Sequence, residues 1–121
     1  MGLWPHTDYG FVTILDATAH GLQIQVNGQF IDVPVLYGHL VINYGEALKF
    51  ITCHSNRSVA AIVHRVTSQA TAKAVRHGIV YFANPGLDRA LKQFNAQGLE
   101  VGYSSVADMF ALLEEKLTTQ A

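Results

Sequence analysis

Apolar and polar residues alternate without a break along Leu22-Gln23-Ile24-Gln25-Val26. That period of two places successive side chains on opposite faces of a strand. Asn27-Gly28 follows, a pair suited to a two-residue reversal, and Phe30-Ile31-Asp32-Val33 resumes the pattern. A β-hairpin is therefore predicted, with Gln23 and Gln25 toward solvent. Phe11 to Leu15 is a second short β-branched run, set directly after Tyr9-Gly10, and Asp16 to Gly21 reads as a connection. Pro34 closes the hairpin; His39 to Tyr44 is nearly continuously apolar, as a strand buried on both faces would be. Ala47, Leu48, Phe50 and Ile51 fit about two helical turns over 46–53, with strand period left open.

The second half carries two further strand patterns, Val59 to Val66 and Val75 to Ala83, joined by a polar connection over 67–73. Asn84-Pro85-Gly86 stops the last of them. Beyond it the spacing predicts a short helix over 87–94, a link over 98–103 and a longer helix over 106–117 with Met109, Phe110, Leu112 and Leu113 on its apolar side. Ser105 with Asp108 three residues on has the form of a helix N-cap. No internal repeat appears, so the chain reads as about seven strands, 1–85, followed by a helical extension of the same domain, 86–121. An antiparallel, double-layered β structure follows.

Composition narrows the class. The 121 residues are half hydrophobic and 14% charged, with a formal charge of -1. That is a packed single domain, with no basic field to support binding of nucleic acid or an anionic membrane. A small neutral or anionic partner fits better. Cys53 is the one cysteine, which excludes an internal disulfide and agrees with a reducing, cytoplasmic setting. The opening residues show no basic-then-apolar leader, and no apolar run reaches the roughly 18 residues of a membrane span.

Candidate chemistry lies at His6-Thr7-Asp8. An imidazole and a carboxylate two positions apart on an extended stretch share one face. Alone the triplet carries little weight; His64 on a strand far downstream and Arg76 twelve residues later raise it. Two imidazoles and one carboxylate on one side of an ion leave its other positions open, the facial arrangement suited to non-haem Fe(II) and oxygen. Arg76 then offers a two-pronged, charge-assisted grip on a carboxylate, which lysine would not reproduce. Phe11, Thr13 and Ile62 fall near such a centre by pattern, as pocket lining or as ordinary packing. His20, His39, His54 and His77 have no partner at ligand spacing and read as loop or surface groups, Arg65 as a structural or surface cation, and Cys53 has no nearby base to make it a nucleophile.

The stretches Pro5-His6-Thr7-Asp8-Tyr9-Gly10-Phe11-Val12-Thr13, Gly21-Leu22-Gln23, Ile31-Asp32-Val33-Pro34, Val41 to Leu48, His64-Arg65-Val66 and Tyr81-Phe82-Ala83-Asn84-Pro85 together resemble the 2-oxoglutarate and Fe(II)-dependent dioxygenases of the isopenicillin N synthase-like group. The resemblance covers most of residues 5–85. It implies a double-stranded β-helix, or jelly roll, with His6, Asp8 and His64 as iron ligands, Arg76 on the C5 carboxylate of 2-oxoglutarate, and Asn43 on the strand nearest the site, where it either touches cosubstrate or satisfies local backbone. It further implies oxidative decarboxylation of that oxoacid to succinate and carbon dioxide, coupled to oxidation, usually hydroxylation, of a small organic substrate by molecular oxygen.

The chain departs from the family pattern in three places. Arg76-His77-Gly78 stands where Arg-x-Ser is usual, so a serine hydroxyl is missing from the oxoacid site. Ala60-Ala61 replaces a basic residue followed by serine. Relatives also carry an N-terminal helical region and a first core strand ahead of the H-x-D motif, whereas here the motif begins at residue 6. Without such a strand, the strand over 76–83 is expected to expose an unpaired edge, completed by a second copy of the chain or by a preceding region. Two rival functions remain: a jelly-roll fragment or binding module without catalysis, and an oxidase that uses the triad without an oxoacid.

Overall fold

The computed structural model describes residues 2–68 and 75–119. Two antiparallel sheets form a sandwich. The first contains β1 (Leu3–His6), β3 (Leu22–Val26), β4 (Gln29–Asp32) and β6 (His64–Val66) in the order β1-β6-β3-β4; the second contains β2 (Val12–Ala17), β5 (Val41–Tyr44) and β7 (Gly78–Ala83) in the order β5-β2-β7. The chain passes back and forth between the sheets, the course of a jelly roll, with seven strands where a complete one has eight. As expected, β7 lies at an edge, and Ile79 and Tyr81 on it are 75% and 64% exposed. Most of the connection expected over 67–73 lies outside the described residues.

The β3–β4 hairpin forms as the alternation predicts, with Asn27 and Gly28 both at positive φ in its turn. Gln23 is not free in solvent. It donates to Asp32 Oδ1 at 2.9 Å and accepts from Arg65 Nε at 2.8 Å, while the Arg65 guanidinium lies 3.9 Å over the Phe30 ring. The strand over 41–44 is not buried on both faces: it pairs only with β2, and Ile42 and Tyr44 point outward, 59% and 44% exposed. Of the run 59–66 only His64–Val66 forms ladder.

The largest difference lies after Pro85. Residues 87–94 are not a helix; β8 (Leu91–Phe94) pairs with β9 (Glu100–Tyr103) as a hairpin, so most of the expected link over 98–103 is a strand. Local chemistry explains this. Asn95 Oδ1 accepts from the amides of Gln97 and Leu99, Gly98 takes φ +75°, and Gly102 allows β9 to approach Leu91 O and Lys92, where any side chain would collide. α1 (Glu46–Thr52) and α2 (Val106–Thr119) form where predicted, and Ser105 Oγ caps α2 by accepting from the Asp108 amide at 3.1 Å. Leu112 sits off the apolar face, 44% exposed.

The tightest core is outside the sandwich. Ala47 of α1, Leu91 of β8, and Val106 and Met109 of α2 are buried together, with Phe11, Phe50 and Tyr103 packed on them. Phe11 therefore belongs to this core. α1 is locked to the turn after β1: the amides of Glu46 and Ala47 donate to Asp8 O and Tyr9 O at 2.8 and 2.9 Å, and Gly45 N to Phe11 O at 3.0 Å. A Cβ on Gly45 would collide with Gly10 O and stand 2.9 Å from Asp8 O, both rigid backbone. Gly45→Ala is expected to destabilise the chain by about 1–3 kcal/mol, as overpacking does. The measurement is the midpoint of urea unfolding, with a midpoint equal to that of the parent counting against this account of the turn.

Candidate metal centre

The two histidines meet because of register. His6, the last residue of β1, is the cross-strand partner of His64, the first of β6, so both imidazoles rise on the same face, their ring centroids 4.4 Å apart. Asp8 lies just past β1 at the start of the turn that α1 pins, and its carboxylate returns toward the same point. His6 Nε2 is 3.8 Å and His64 Nε2 is 3.5 Å from Asp8 Oδ1. One donor atom from each residue lies within 4.8 Å of the others.

Each ligand is held by its other polar atom. His6 Nδ1 lies 2.7 Å from Trp4 O, and His64 Nδ1 lies 3.1 Å from Ile62 O. A backbone carbonyl only accepts, so Nδ1 carries hydrogen in both rings and the lone pair of each neutral imidazole sits on Nε2, facing Asp8. Asp8 is buried, and its Oδ2 accepts from Thr13 Oγ1 at 2.6 Å and Asn43 Nδ2 at 2.8 Å. Oδ1 is left for the shared point. Two imidazole nitrogens and one carboxylate oxygen converging in this way form the donor set that suits a divalent first-row metal, and outer partners of this kind fix ligand orientation.

A cavity of about 280 Å³ runs between the two sheets from this centre. Thr13, Asn43 and Ile62 line it near the ligands, and Leu15, Leu22 and Val41 line it with Arg76. Arg76 is fixed by Nε, which donates to Ala19 O at 3.2 Å; among the described residues its Nη2 is buried with no partner. A buried, charged donor without an acceptor is costly, and an incoming carboxylate would satisfy it.

Of the residues singled out in the sequence, His6, Asp8, His64, Arg76, Asn43, Thr13 and Ile62 thus share one cavity, and Phe11 does not. Thr13 and Asn43 bond Asp8, a part that their strand positions alone did not reveal. The signal was available: both lie at inward positions of paired strands, Thr13 opposite Asn43. His20, His39, His54 and His77 are all exposed, as is Cys53. Burial first, and the Glu114 carboxylate second, push the Tyr9 phenol upward, and its ring packs on Phe110 of α2.

Residues 1–85 match the 2OG-Fe(II) oxygenase superfamily. The chain belongs to that family. Similar curated members include a 1-aminocyclopropane-1-carboxylate oxidase of Prunus mume, 41% identical over 92 residues, and one of Dendrobium crumenatum, 37% identical over 92 residues. Each alignment takes in 74% of this chain and 27% of the relative, so the chain spans about a quarter of the length of these superfamily members. The full-length Neurospora crassa T7H, solved in complex with alpha-KG, superposes with a TM-score of 0.71 at 26% identity, over 92% of this chain and 40% of that one. The jelly roll is thus the fold of this superfamily member.

Thr13→Val removes the hydroxyl that orients Asp8 while keeping the side chain's shape. It is expected to weaken Fe(II) binding ~10–100-fold, the usual effect of losing an outer partner. Anaerobic Fe(II) titration, with circular dichroism to show retained fold, is the measurement; unchanged affinity would mean that the Asp8–Thr13 bond does not position a ligand.

Proposed function

We propose that this chain is the metal-binding core of a non-haem Fe(II) and 2-oxoglutarate-dependent dioxygenase that oxidises, most often by hydroxylation, a small organic molecule. His6, Asp8 and His64 hold the iron through Nε2, Oδ1 and Nε2. Arg76 takes the distal carboxylate of the oxoacid, and Asn43 acts on the cosubstrate side of the centre through Asp8. The observation that carries this reading is the division of one cavity into two ends, three convergent donor atoms at one and an unpartnered guanidinium nitrogen at the other.

Iron bound by His6, Asp8 and His64 would supply the oxygen chemistry. The protein's part is positional. The Nδ1 bonds keep both Nε2 atoms aimed inward, and the pair of bonds to Oδ2 prevents Asp8 from turning away. Thr13 and Ile62 border the space left for substrate near the ligands. The net charge and single exposed cysteine suit a cytoplasmic enzyme of small molecules rather than of nucleic acid or membrane, and no helix among the described residues is long and apolar enough to cross a bilayer.

Anaerobic addition of 2-oxoglutarate to the Fe(II)-loaded chain tests the reading through a weak visible charge-transfer band. Band formation is expected; iron binding without a band would favour an oxidase that dispenses with the oxoacid, and no iron binding would favour a non-catalytic module. His64→Ala should abolish iron binding. Arg76→Ala should raise the oxoacid dissociation constant ~10-fold or more, as loss of a buried charge-assisted contact does, and leave iron affinity within about twofold. Loss of both together would make Arg76 structural.

The free edge of β7 supports pairing with a second copy or with a further region of a longer chain. Light scattering is expected to give a mass above 13.2 kDa that rises with concentration. A constant monomer mass would count against pairing between copies.

A further inference from the structure

Arg76 is hydrogen-bonded at its stem and, among the described residues, not at Nη2 of its head. Nε donates to Ala19 O at 3.2 Å, and Cδ lies so near Gly21 that a Cβ there would meet it at 3.5 Å. Nη2, in contrast, is buried without a partner among the described residues. Behind the guanidinium lies a second cavity of about 200 Å³, which shares Leu15, Leu22, Val41 and Arg76 with the metal cavity and continues along Val33–Leu40. Arg76 is therefore a partition between two spaces rather than the floor of one.

Gly78 enlarges the same end. Its backbone is not in the left-handed region that favours glycine. A Cβ there would make ordinary contacts, 3.6 Å from Leu15 Cδ1 and 3.7 Å from Arg76 Nη1. Neither backbone nor packing requires glycine, and its missing side chain leaves space against the guanidinium. The next residues of β7 on the same face, Val80 and Phe82, line the cavity with full side chains.

Resting on the oxoacid site proposed above, we propose that Gly78 sets the length of the cosubstrate, so that the chain also takes 2-oxo dicarboxylates one methylene longer than 2-oxoglutarate. The extra methylene lies against Leu15, Leu22 and Val41, in the gap beside Gly78. The guanidinium head keeps its grip on the distal carboxylate by swinging toward the second cavity, while Nε stays bonded to Ala19 O. A pocket cut to one length ordinarily discriminates a single methylene by ~10–200-fold. This one does not.

The probes are 2-oxoglutarate and 2-oxoadipate, titrated anaerobically into the Fe(II)-loaded chain and read by calorimetry and by the charge-transfer band, in the parent, Gly78→Ser and Gly78→Ala. In the parent the two dissociation constants are expected to lie within about threefold of each other; each substitution should weaken 2-oxoadipate by ~10-fold or more, while Gly78→Ala moves 2-oxoglutarate by less than about threefold and Gly78→Ser, which supplies the missing hydroxyl, leaves it unchanged or tightens it. A parent preference of ~10-fold or more for 2-oxoglutarate, or equal weakening of both oxoacids in the variants, overturns the inference. Should neither oxoacid bind while iron does, the oxoacid reading itself fails and the length rule with it. If Gly78→Ser unfolds, as circular dichroism would show, the parent ratio and the alanine variant still decide.

Discussion

A carboxylate buried between two imidazoles is the constraint on which the rest of this structure depends. Removing a charged Asp8 from water is unfavourable by several kcal/mol unless it is both hydrogen-bonded and paired. Thr13 and Asn43 supply the hydrogen bonds, but only to Oδ2. Oδ1 faces two Nε2 atoms at 3.5 and 3.8 Å, and both imidazoles have their hydrogens committed to backbone carbonyls on the other side. Two ring nitrogens and one carboxylate oxygen therefore face a single point. A cation at that point would meet all three donor atoms at once, so the arrangement is pre-shaped for a metal.

Such a centre needs a firm surround, and the fold provides it from outside the sandwich. The space between the sheets is occupied by a cavity, so the cluster of Ala47, Leu91, Val106 and Met109 supplies much of the apolar closure instead. That cluster clamps α1, the β8–β9 hairpin and α2 onto the turn that carries Asp8. α1 then passes the restraint on directly, through its first amides, to the carbonyls of Asp8 and Tyr9. Core packing and metal geometry are coupled through two hydrogen bonds and one glycine.

What could be read from the residues follows from how local each signal is. The Leu22–Val33 hairpin was legible because alternation and Asn27-Gly28 lie within a few residues of each other and agree. His6, Asp8, His64 and Arg76 were legible because their chemistry is unusual enough to be sought across the chain. The β8–β9 hairpin was not: Leu91, Phe94 and their neighbours fit either period over so short a run, and the deciding features are the Asn95 side chain capping its own turn and Gly102 permitting close strand approach. Phe11 misled for a related reason. It is close to the motif in sequence, but the turn at Gly10 sends it to the opposite side, onto the helical core.

β7 shows how one strand can address several ligands at once. Its alternation directs Gly78, Val80 and Phe82 into the cavity and leaves Ile79 and Tyr81 outside. Gly78 stands beside Arg76, at the end assigned to the cosubstrate. Phe82, four residues and about 13 Å further along the strand, borders the metal cavity and also a neighbouring recess lined by Asp8, Phe110 and Leu117. Gly78 and Phe82 therefore stand at opposite ends of the same cavity, the first beside Arg76 and the second on the side of α2. Because β7 is also an edge strand among the described residues, a segment pairing with its free side would restrain Gly78, Val80 and Phe82 together and so tie completion of the sheet to the shape of the cavity.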